Sequence, residues 1–331
     1  MAHSFRAFRI HQENGRVAPR LETISLDDLA AGEVVVKVEY STINYKDALA
    51  ATGAGKILRR YPLVGGIDLA GRVVSSTDAA FKPGDPVLVN GCGLSETHDG
   101  GYAQFARVKS EWVVPIPAGL DAWQCMALGT AGYTAALGIH RMEQNGQQPD
   151  QGEIVVTGAT GGVGSLAIDM LAGRGYRAVA VTGKSSAEEY LRSLGAARVL
   201  LRESINLGSR PLEEAQWAGA IDNVGGDLLA WLTRTTNFWG NIASIGMAGS
   251  GELKSTVFPF ILRGVNLLGI NSVFTPRALR LAVWQRLASD LKPRHLDRIV
   301  SATIDFDQLP GAFDAFIQGK VTGRVVVRIG E

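Results

Sequence analysis

The sequence has few of the residues that build disulfide or metal sites. Its 331 residues include only two cysteines, Cys92 and Cys125, and five histidines. Two isolated thiols form neither a disulfide framework nor a four-cysteine metal lobe. The cysteine usage therefore predicts a protein of a reducing compartment, the cytoplasm, and no bound metal.

The composition also argues against a membrane span or a nucleic-acid surface. The chain lacks the run of roughly 18 apolar residues that a transmembrane helix needs. Its first nine residues lack the apolar core of a signal peptide. Lysine and arginine total 33 against 32 aspartates and glutamates, so the formal net charge is only +1. A charge this small is atypical of proteins that bind nucleic acid or a membrane surface.

A glycine-rich turn stands between an apolar run and a helical pattern. Residues 154–156 form a short apolar run, and Gly158, Gly161 and Gly164 recur every third residue after it. Residues 165–171 then carry apolar side chains at helical spacing. A strand, a tight glycine turn and an open helix N-terminus are the parts that bind a dinucleotide pyrophosphate. We predict a dinucleotide site here; the alternative is a merely structural turn.

The end of the next apolar strand indicates which dinucleotide binds. The strand ends at Thr182, about 20 residues after the turn, where NAD-binding proteins usually carry an acid. Here Thr182 is followed by Gly183, Lys184, Ser185 and Ser186, with no acid. A lysine, small hydroxyls and backbone N–H groups attract a 2′-phosphate, which an acid would repel. The sequence predicts NADPH; the alternative is a solvated lysine beside serines that only cap the next helix.

Two structural patterns follow one another along the chain. Up to about residue 120, short β-prone segments alternate with turn signals, which is typical of a barrel-like antiparallel domain. From residue 153 to about residue 269, strands alternate with helices, which predicts a doubly wound parallel sheet. The expected fold class is α/β, with a β-barrel domain and a Rossmann domain. The predicted strands are 34–40, 71–75, 86–90, 100–108, 112–115, 154–156, 177–182, 220–222, 241–245 and 323–329, and the predicted helices include 128–142 and 276–291.

Several motifs resemble the medium-chain dehydrogenase/reductase superfamily, in its zinc-free, quinone-reductase-type branch. They are Asn-Tyr-Lys-Asp-Ala-Leu at 44–49, Gly-Ile-Asp-Leu-Ala-Gly at 66–71, Phe-Lys-Pro-Gly-Asp at 81–85, Gly-Gly-Tyr-Ala-Gln-Phe at 100–105, and the glycine turn at 157–164. More narrowly, residues 55–57, 128–132, 217–222, 259–263 and 319–324 are similar to the bacterial NADPH-dependent acrylyl-CoA reductases. The resemblance covers nearly the whole chain.

The resemblance implies a domain plan and an absence of zinc. It implies a GroES-like catalytic domain at 1–127, an NADPH-binding Rossmann domain at 128–272, and a return to the catalytic domain at 273–331. Zinc-dependent relatives carry His-Glu where this chain has Ile67 and Asp68, so no metal is expected. A metal or triad site at His98 and Asp99 is the alternative. Residues 265–270 indicate an edge strand. Pairing of this strand across a homodimer would cover its unpaired backbone groups and prevent aggregation through them.

The activity that the resemblance implies is the NADPH-dependent reduction of acrylyl-CoA to propionyl-CoA, by hydride transfer to the β-carbon. The alternatives are a quinone or 2-alkenal reductase with the same cofactor, and an NADPH-binding protein without turnover. Negative charge develops on the thioester oxygen, so hydrogen-bond donors are expected there. Tyr45 and Asn44 are the candidate catalytic donors, with packing as the alternative for Tyr45. Asp68 is expected to hold a turn through its carboxylate.

The resemblance also implies contacts to the cofactor and the substrate. The expected cofactor contacts are Tyr45, Thr160, Gly161, Gly162, Val163, Thr182, Gly183, Lys184, Arg202, Met247, Ile261, Ser272 and Arg324. Without the resemblance, Ile261 would indicate a core residue and Arg324 a surface charge. A CoA ester carries several phosphates, so a basic rim is expected near the site. Lys56, Arg59 and Arg60 are the candidate rim, and a solvated loop is the alternative.

Overall fold

The structure, a computed structural model, describes residues 4–330. Met1, His3 and the start of the segment expected to lack a signal peptide lie outside these residues. The chain divides into two compact units. Unit 1 comprises the residues up to Thr130 together with Val273–Ala282 and the chain from Val300, and unit 2 comprises Ala131–Ser272 and Val283–Ile299. The C-terminal segment, expected to return to the first domain as one piece, is therefore divided between the units.

Strands predominate in the first third of the chain, and strands and helices mostly alternate after it. The strands are β1 (Phe5–Glu13), β2 (Arg16–Ile24), β3 (Val34–Ile43), β4 (Leu63–Val64), β5 (Asp68–Ser76), β6 (Pro86–Asn90), β7 (Phe105–Val108), β8 (Val114–Pro115), β9 (Glu153–Thr157), β10 (Arg177–Thr182), β11 (Arg198–Leu201), β12 (Trp217–Asp222), β13 (Thr236–Ser244), β14 (Asn266–Gly269), β15 (Val300–Asp305) and β16 (Arg324–Arg328). The helices are α1 (Tyr45–Thr52), α2 (Ala122–Gln144), α3 (Gly162–Gly173), α4 (Glu188–Ser193), α5 (Gly226–Thr235), α6 (Phe258–Arg263), α7 (Arg277–Leu287), α8 (Leu296–Ile299) and α9 (Phe313–Ile317).

Unit 1 is built from two sheets around one apolar core. The small sheet has the order β2-β1-β4, and the large one the order β15-β16-β3-β5-β6-β8, with β7 also paired to β3. Within the described residues these pairs are antiparallel, apart from β15 with β16. The inward side chains, such as Phe8, Val36 and Leu69, are fully buried. The expected antiparallel domain is confirmed.

The hairpin of β1 and β2 was not anticipated from the sequence. Its turn is formed by Asn14 and Gly15, whose φ angles are 51° and 76°. Asn-Gly is the dipeptide that best tolerates two positive φ values in a two-residue hairpin. The Asn-Gly dipeptide is thus a sequence signal for this hairpin. The hairpin was not predicted because the flanking strands carry many charged residues and lack a clear apolar alternation.

Unit 2 carries one parallel sheet, as expected. Its order is β11-β10-β9-β12-β13-β14, and each neighbouring pair is parallel. The central strands β9 and β12 are apolar and buried, because helices cover both faces of such a sheet. The strand order reverses direction between β9 and β12, and ligands of open α/β sheets bind beyond the carboxyl ends of the strands at this switch point.

No helix within residues 4–330 combines the length and the hydropathy that a bilayer span requires.

Candidate functional site

The glycine turn of unit 2 joins β9 to α3 at the switch point. Gly158 follows β9 with a φ of 60°, and Gly161 is the N-cap residue of α3. A Cβ atom on Gly164 would lie 2.4 Å from the carbonyl oxygen of Gly158, so only glycine lets the helix approach the turn this closely. The first N–H groups of α3 have no partner within the helix, and the helix dipole favours an anion beside them. The turn, with Thr160, Gly162 and Val163, fits a pyrophosphate.

The loop after β10 carries two cations. Thr182 at the end of β10 pairs in register with Leu201 at the end of β11, so Arg202 follows beside the loop. A Cβ atom on Gly183 would lie 3.5 Å from Nη2 of Arg202, which places the guanidinium against this glycine. The backbone N–H of Lys184 donates to Oγ1 of Thr182 at 3.0 Å, and partial burial lowers the pKa of Lys184. The structure thus brings these four expected cofactor contacts together.

The other expected cofactor contacts of unit 2 are more dispersed. Met247 follows β13 and lines a depression of about 270 Å³ with Gly225, Ser244 and Ser250. This depression lies beyond the carboxyl ends of β12 and β13, on the same edge of the sheet as the glycine turn. Ile261 on α6 is 71% exposed, so it is not a core residue, and Ser272 is half-buried.

Tyr45 is the first residue of α1 in unit 1. Its side chain is 50% exposed, which favours contact with a ligand over the alternative that it is a packing aromatic. Its hydroxyl makes no hydrogen bond to any residue from 4 to 330. The hydroxyl is therefore available as a donor to a ligand.

Asn44, directly before Tyr45, is buried, and both the nitrogen and the oxygen of its side-chain amide have hydrogen-bond partners. Its Nδ2 donates to Oδ2 of Asp68 at 2.8 Å and to Oδ2 of Asp47 at 3.1 Å. Its Oδ1 accepts from Nη1 of Arg324 at 3.1 Å. An asparagine amide has only two N–H bonds to donate. Neither N–H is left for a substrate in this arrangement, which favours Tyr45 over Asn44 as the expected donor.

Arg324 is 3% exposed, so it is not a surface charge. Besides its bond to Asn44, its Nε donates to the carbonyl oxygen of Ala127 at 3.1 Å, and its Nη2 donates to Oγ1 of Thr42 at 2.7 Å. The guanidinium is thus held inside unit 1 by its own neighbours. This arrangement favours a structural role for the guanidinium over the expected contact with the cofactor.

Two buried aspartates complete this cluster. Asp68 accepts hydrogen bonds from the backbone N–H of Thr130 at 2.9 Å and from its Oγ1 at 2.5 Å. Asp47 accepts the backbone N–H groups of Asn44 and Ile67, both at 2.9 Å. Burial, with the charge of Asp68 added, raises the pKa of Asp47 to about 7. Burial also raises the pKa of Asp68, although its hydrogen bonds and Arg324 oppose that rise.

The cluster also contains Asp47, Thr42 and Thr130, which were not predicted from the sequence. For Asp47 a signal existed, since Asn44 and Asp47 have the spacing of a helix capping box. Thr42 and Thr130 carry no comparable local signal. The carboxylate of Asp68 does accept a hydrogen bond from a backbone N–H, as expected, but this N–H belongs to Thr130 and not to the turn that contains Asp68.

The basic cluster after α1 is partly neutralised. Lys56, Arg59 and Arg60 are exposed. Nη2 of Arg60 lies 3.6 Å from Oδ2 of Asp99, and its Nε donates to the carbonyl oxygen of Thr97 at 3.1 Å. Any contact with substrate phosphates would therefore rest chiefly on Lys56 and Arg59.

The described residues contain no group of three or more histidine, cysteine or acidic side chains placed to hold a metal. The ring nitrogens of His98 lie 3.0 Å and 3.1 Å from the carbonyl oxygens of Ala31 and Asp99. The carboxylate of Asp99 accepts the backbone N–H groups of Ala30 and Val64. Both side chains serve the local backbone, so the alternative of a His98–Asp99 catalytic site gains no support.

Comparisons with known proteins agree with this architecture. The family described as "Alcohol dehydrogenase GroES-like domain" matches residues 30–118, and the family described as "Zinc-binding dehydrogenase" matches residues 162–289. Acrylyl-CoA reductase AcuI of Ruegeria pomeroyi is 47% identical over 96% of this chain and 96% of its own length. Bacillus subtilis YhfP, provisionally named a quinone oxidoreductase, is 46% identical over 99% of this chain and 100% of its own.

Two solved structures have closely similar folds. The yhdH oxidoreductase of Salmonella enterica in complex with NADP is 45% identical, with a TM-score of 0.95 over 98% of this chain and 100% of its own. Bacillus subtilis yhfP with NAD bound is 46% identical, with a TM-score of 0.96 over 99% of this chain and 100% of its own. These similarities confirm the resemblance drawn from the motifs. The chain belongs to the medium-chain dehydrogenase/reductase superfamily, in its quinone-oxidoreductase-like branch, and resembles the acrylyl-CoA reductases of that branch.

Proposed function

We propose that this protein is an NADPH-dependent reductase that converts acrylyl-CoA to propionyl-CoA. The observation that carries the proposal is the loop of Lys184 and Arg202, two cations beside the glycine turn of a dinucleotide-binding sheet. The substrate is suggested by the 47% identity to a relative named acrylyl-CoA reductase. In the balanced reaction, acrylyl-CoA, NADPH and a proton give propionyl-CoA and NADP⁺; hydride adds to the β-carbon and the proton to the α-carbon.

The residues of unit 2 fit the phosphates of this cofactor. The N–H groups of Thr160, Gly162 and Val163 would hold the pyrophosphate, because the open N-terminus of α3 lies beside them. The N–H of Gly161 donates to the carbonyl oxygen of Gly158 at 3.0 Å and shapes the turn. Thr182, Gly183, Lys184 and Arg202 would hold the 2′-phosphate. When bound, NADPH supplies the hydride.

The contribution of unit 1 is a hydrogen-bond donor. As hydride adds to the β-carbon, negative charge develops on the thioester oxygen, and a fixed donor stabilises that charge more than it stabilises the substrate. The Tyr45 hydroxyl would be this donor, since it is exposed and has no partner among residues 4–330.

A quinone reductase is the second candidate function, supported by the provisional name of Bacillus subtilis YhfP. NADPH oxidation should be followed with acrylyl-CoA, with a simple quinone and with buffer alone. We expect turnover with acrylyl-CoA to have the highest kcat/KM. Turnover with the quinone but not with acrylyl-CoA would replace the proposal, and binding of NADPH without turnover of either would identify a nucleotide-binding protein.

If the substrate is a CoA ester, removing the free basic side chains should weaken its binding. CoA contributes about four negative charges, and cations near the site steer such a ligand in a salt-dependent way. The double variant Lys56→Ser/Arg59→Ser is expected to raise KM for acrylyl-CoA about fivefold at low salt, with KM for a small uncharged enone unchanged. Arg60→Ser should have a smaller effect, because Arg60 already pairs with Asp99.

The matched control is Arg16→Ser/Lys82→Ser, which removes two exposed cations elsewhere in unit 1. An equal rise in KM for the control would show that only the net charge matters. No rise in either variant would show that the Lys56–Arg60 loop is merely solvated.

We also propose that two copies pair through the edge strand β14. This strand ends the sheet of unit 2, and Phe238, Trp239 and Leu262 are exposed on the neighbouring β13 and α6, Trp239 by 75%. An open edge with apolar side chains beside it is a surface that proteins usually cover, and a twofold axis lets the same strand cover itself. Sedimentation equilibrium should give twice the chain mass, and Leu267→Pro should shift the protein towards the monomer, because Ile270 donates to Ser244 of β13 and the N–H of Leu267 therefore faces the open edge. A monomeric parent protein would contradict this proposal.

A further inference from the structure

One side-chain amide in unit 1 is held by three different elements of the fold. Nδ2 of Asn44 donates to Asp47 on α1 and to Asp68 on β5, while its Oδ1 accepts from Arg324 on β16. The charges define the orientation of the amide, because the N–H groups face two carboxylates and the oxygen faces a guanidinium. The reverse orientation would direct the amide oxygen at carboxylates and its N–H groups at a cation.

This amide sits at the point where α1 begins. Asn44 is the N-cap residue, with φ −109° and ψ 162°, and its backbone N–H donates to Oδ2 of Asp47. The carbonyl oxygen of the preceding Ile43 accepts from Nη1 of Arg324 at 3.4 Å. The backbone on the N-terminal side of Tyr45 is therefore fixed by contacts from the side chain and from the main chain.

The cluster leaves little room for rearrangement. Gly129 interrupts α2 with φ 51° and ψ −156°, and a Cβ atom there would lie 2.7 Å from Nη2 of Arg324 and 2.9 Å from Oδ2 of Asp68. Asp68 is further tied to Thr130, and Arg324 to Thr42 and Ala127. The side chains of Asn44, Asp68 and Arg324 are thus tightly packed and at most 9% exposed, while the side chain of Tyr45 is 50% exposed.

A buried cluster of two carboxylates and a guanidinium is a costly way to stabilise a fold, since apolar residues of similar volume often serve as well. A buried polar cluster does provide a single, well-defined orientation for the groups attached to it. The group attached here is Tyr45. We propose that Asp68 and Arg324 are positioning residues that hold Asn44, and through it the Tyr45 hydroxyl, in the orientation that the reduction needs; this inference rests on the proposed function of Tyr45 as a donor.

The kinetic test is a double-mutant cycle between Asp68 and Tyr45. Asp68→Asn keeps the shape of the side chain but replaces the carboxylate, which accepts from the Asn44 amide, with an amide that also carries N–H donors. The variant is expected to lower kcat about fivefold with KM for NADPH unchanged. In the Tyr45→Phe background the same substitution should change kcat less than about twofold, because the group that it positions is gone. Asp99→Asn is the matched control, since Asp99 is also a buried acceptor of two N–H groups in unit 1; it should lower stability without lowering kcat.

Two further variants distinguish a loss of positioning from a loss of folding. Asn44→Ser keeps a good N-cap residue, but the shorter serine side chain cannot reach Asp68 and Arg324 together. Arg324→Lys keeps the positive charge but loses the planar guanidinium with its several N–H donors. Both are expected to reproduce the loss of kcat and its disappearance in the Tyr45→Phe background. A loss of the same size in both backgrounds would overturn the proposal, because it would indicate a general structural effect.

A readout without turnover separates this proposal from the proposed function. 3-Fluorotyrosine placed at position 45 should give one sharp ¹⁹F resonance in the otherwise unchanged protein. Asn44→Ser or Asp68→Asn should broaden or split that resonance, and Asp99→Asn should not. An unchanged resonance would overturn the positioning role even if acrylyl-CoA is reduced. Broadening in a protein that reduces neither acrylyl-CoA nor a quinone would support the positioning while contradicting the function.

Discussion

Replacing Tyr45 with phenylalanine is expected to lower kcat about tenfold or more and to leave the melting temperature nearly unchanged. A hydroxyl that donates to a developing oxyanion contributes more to the transition state than to the bound substrate, and a loss of ~1.4 kcal/mol corresponds to one decade in rate. The ring is half exposed, so removing its oxygen creates no cavity and leaves no buried partner without a hydrogen bond. The measurements are steady-state kinetics with acrylyl-CoA and a thermal melting curve.

The three roles considered for Tyr45 give different results with this one variant. A donor to the substrate lowers kcat, whereas a residue that only binds the cofactor raises KM for NADPH and spares kcat. A packing residue would lower the melting temperature and hardly change either constant. Tyr40→Phe is the matched control, because Tyr40 is a half-buried tyrosine on β3 of the same unit. If the two variants behave alike, the Tyr45 hydroxyl has no special role.

The parts of the fold that local sequence specifies were predicted well. The strand β10 was predicted with its observed bounds, and the turn from β9 into α3 has the predicted glycines at the predicted place. These elements depend on neighbouring residues, since apolar runs form buried strands and glycines permit the tight turn. Lys184 was identified as a candidate phosphate contact from the loop sequence itself, whereas Arg202 was expected from the resemblance to the family. The parallel pairing of β10 with β11 brings the two residues together.

The cluster around Asn44 could not be predicted in the same way. It joins Asn44 to Asp68 and to Arg324, which is 280 residues further along the chain. No local pattern links these residues, and only the pairing of β3 with β5 and with β16 brings them together. Arg324 alone therefore indicated a surface charge or a ligand contact, although the folded chain encloses it. The same limit applies to Arg60, whose partner Asp99 lies in another loop.

The choice between NADPH and NADH depends on the loop after β10. Among the similar solved structures, those from Salmonella enterica and Escherichia coli contain NADP and NADPH at 45% and 46% identity, and the one from Bacillus subtilis contains NAD at 46%. The residues of this chain do favour one cofactor. Lys184 and Arg202 flank Gly183, and the end of β10 lacks the acid that would accept from the ribose hydroxyls of NAD.

The parent protein is therefore expected to bind NADPH at least about tenfold more tightly than NADH, because two cations facing a phosphate contribute roughly 1 kcal/mol or more each. Lys184→Glu should weaken NADPH about tenfold or more through lost attraction and added repulsion, and should change the Kd of NADH less than about threefold. Lys184→Gln, which removes the attraction alone, should fall between the parent and Lys184→Glu. Isothermal titration at two salt concentrations measures both effects, and the preference for NADPH should shrink at high salt.

Equal dissociation constants for the two cofactors in the parent protein would show that this loop does not bind the 2′-phosphate. An equal loss for both cofactors in Lys184→Glu would instead show that the substitution damages the site as a whole.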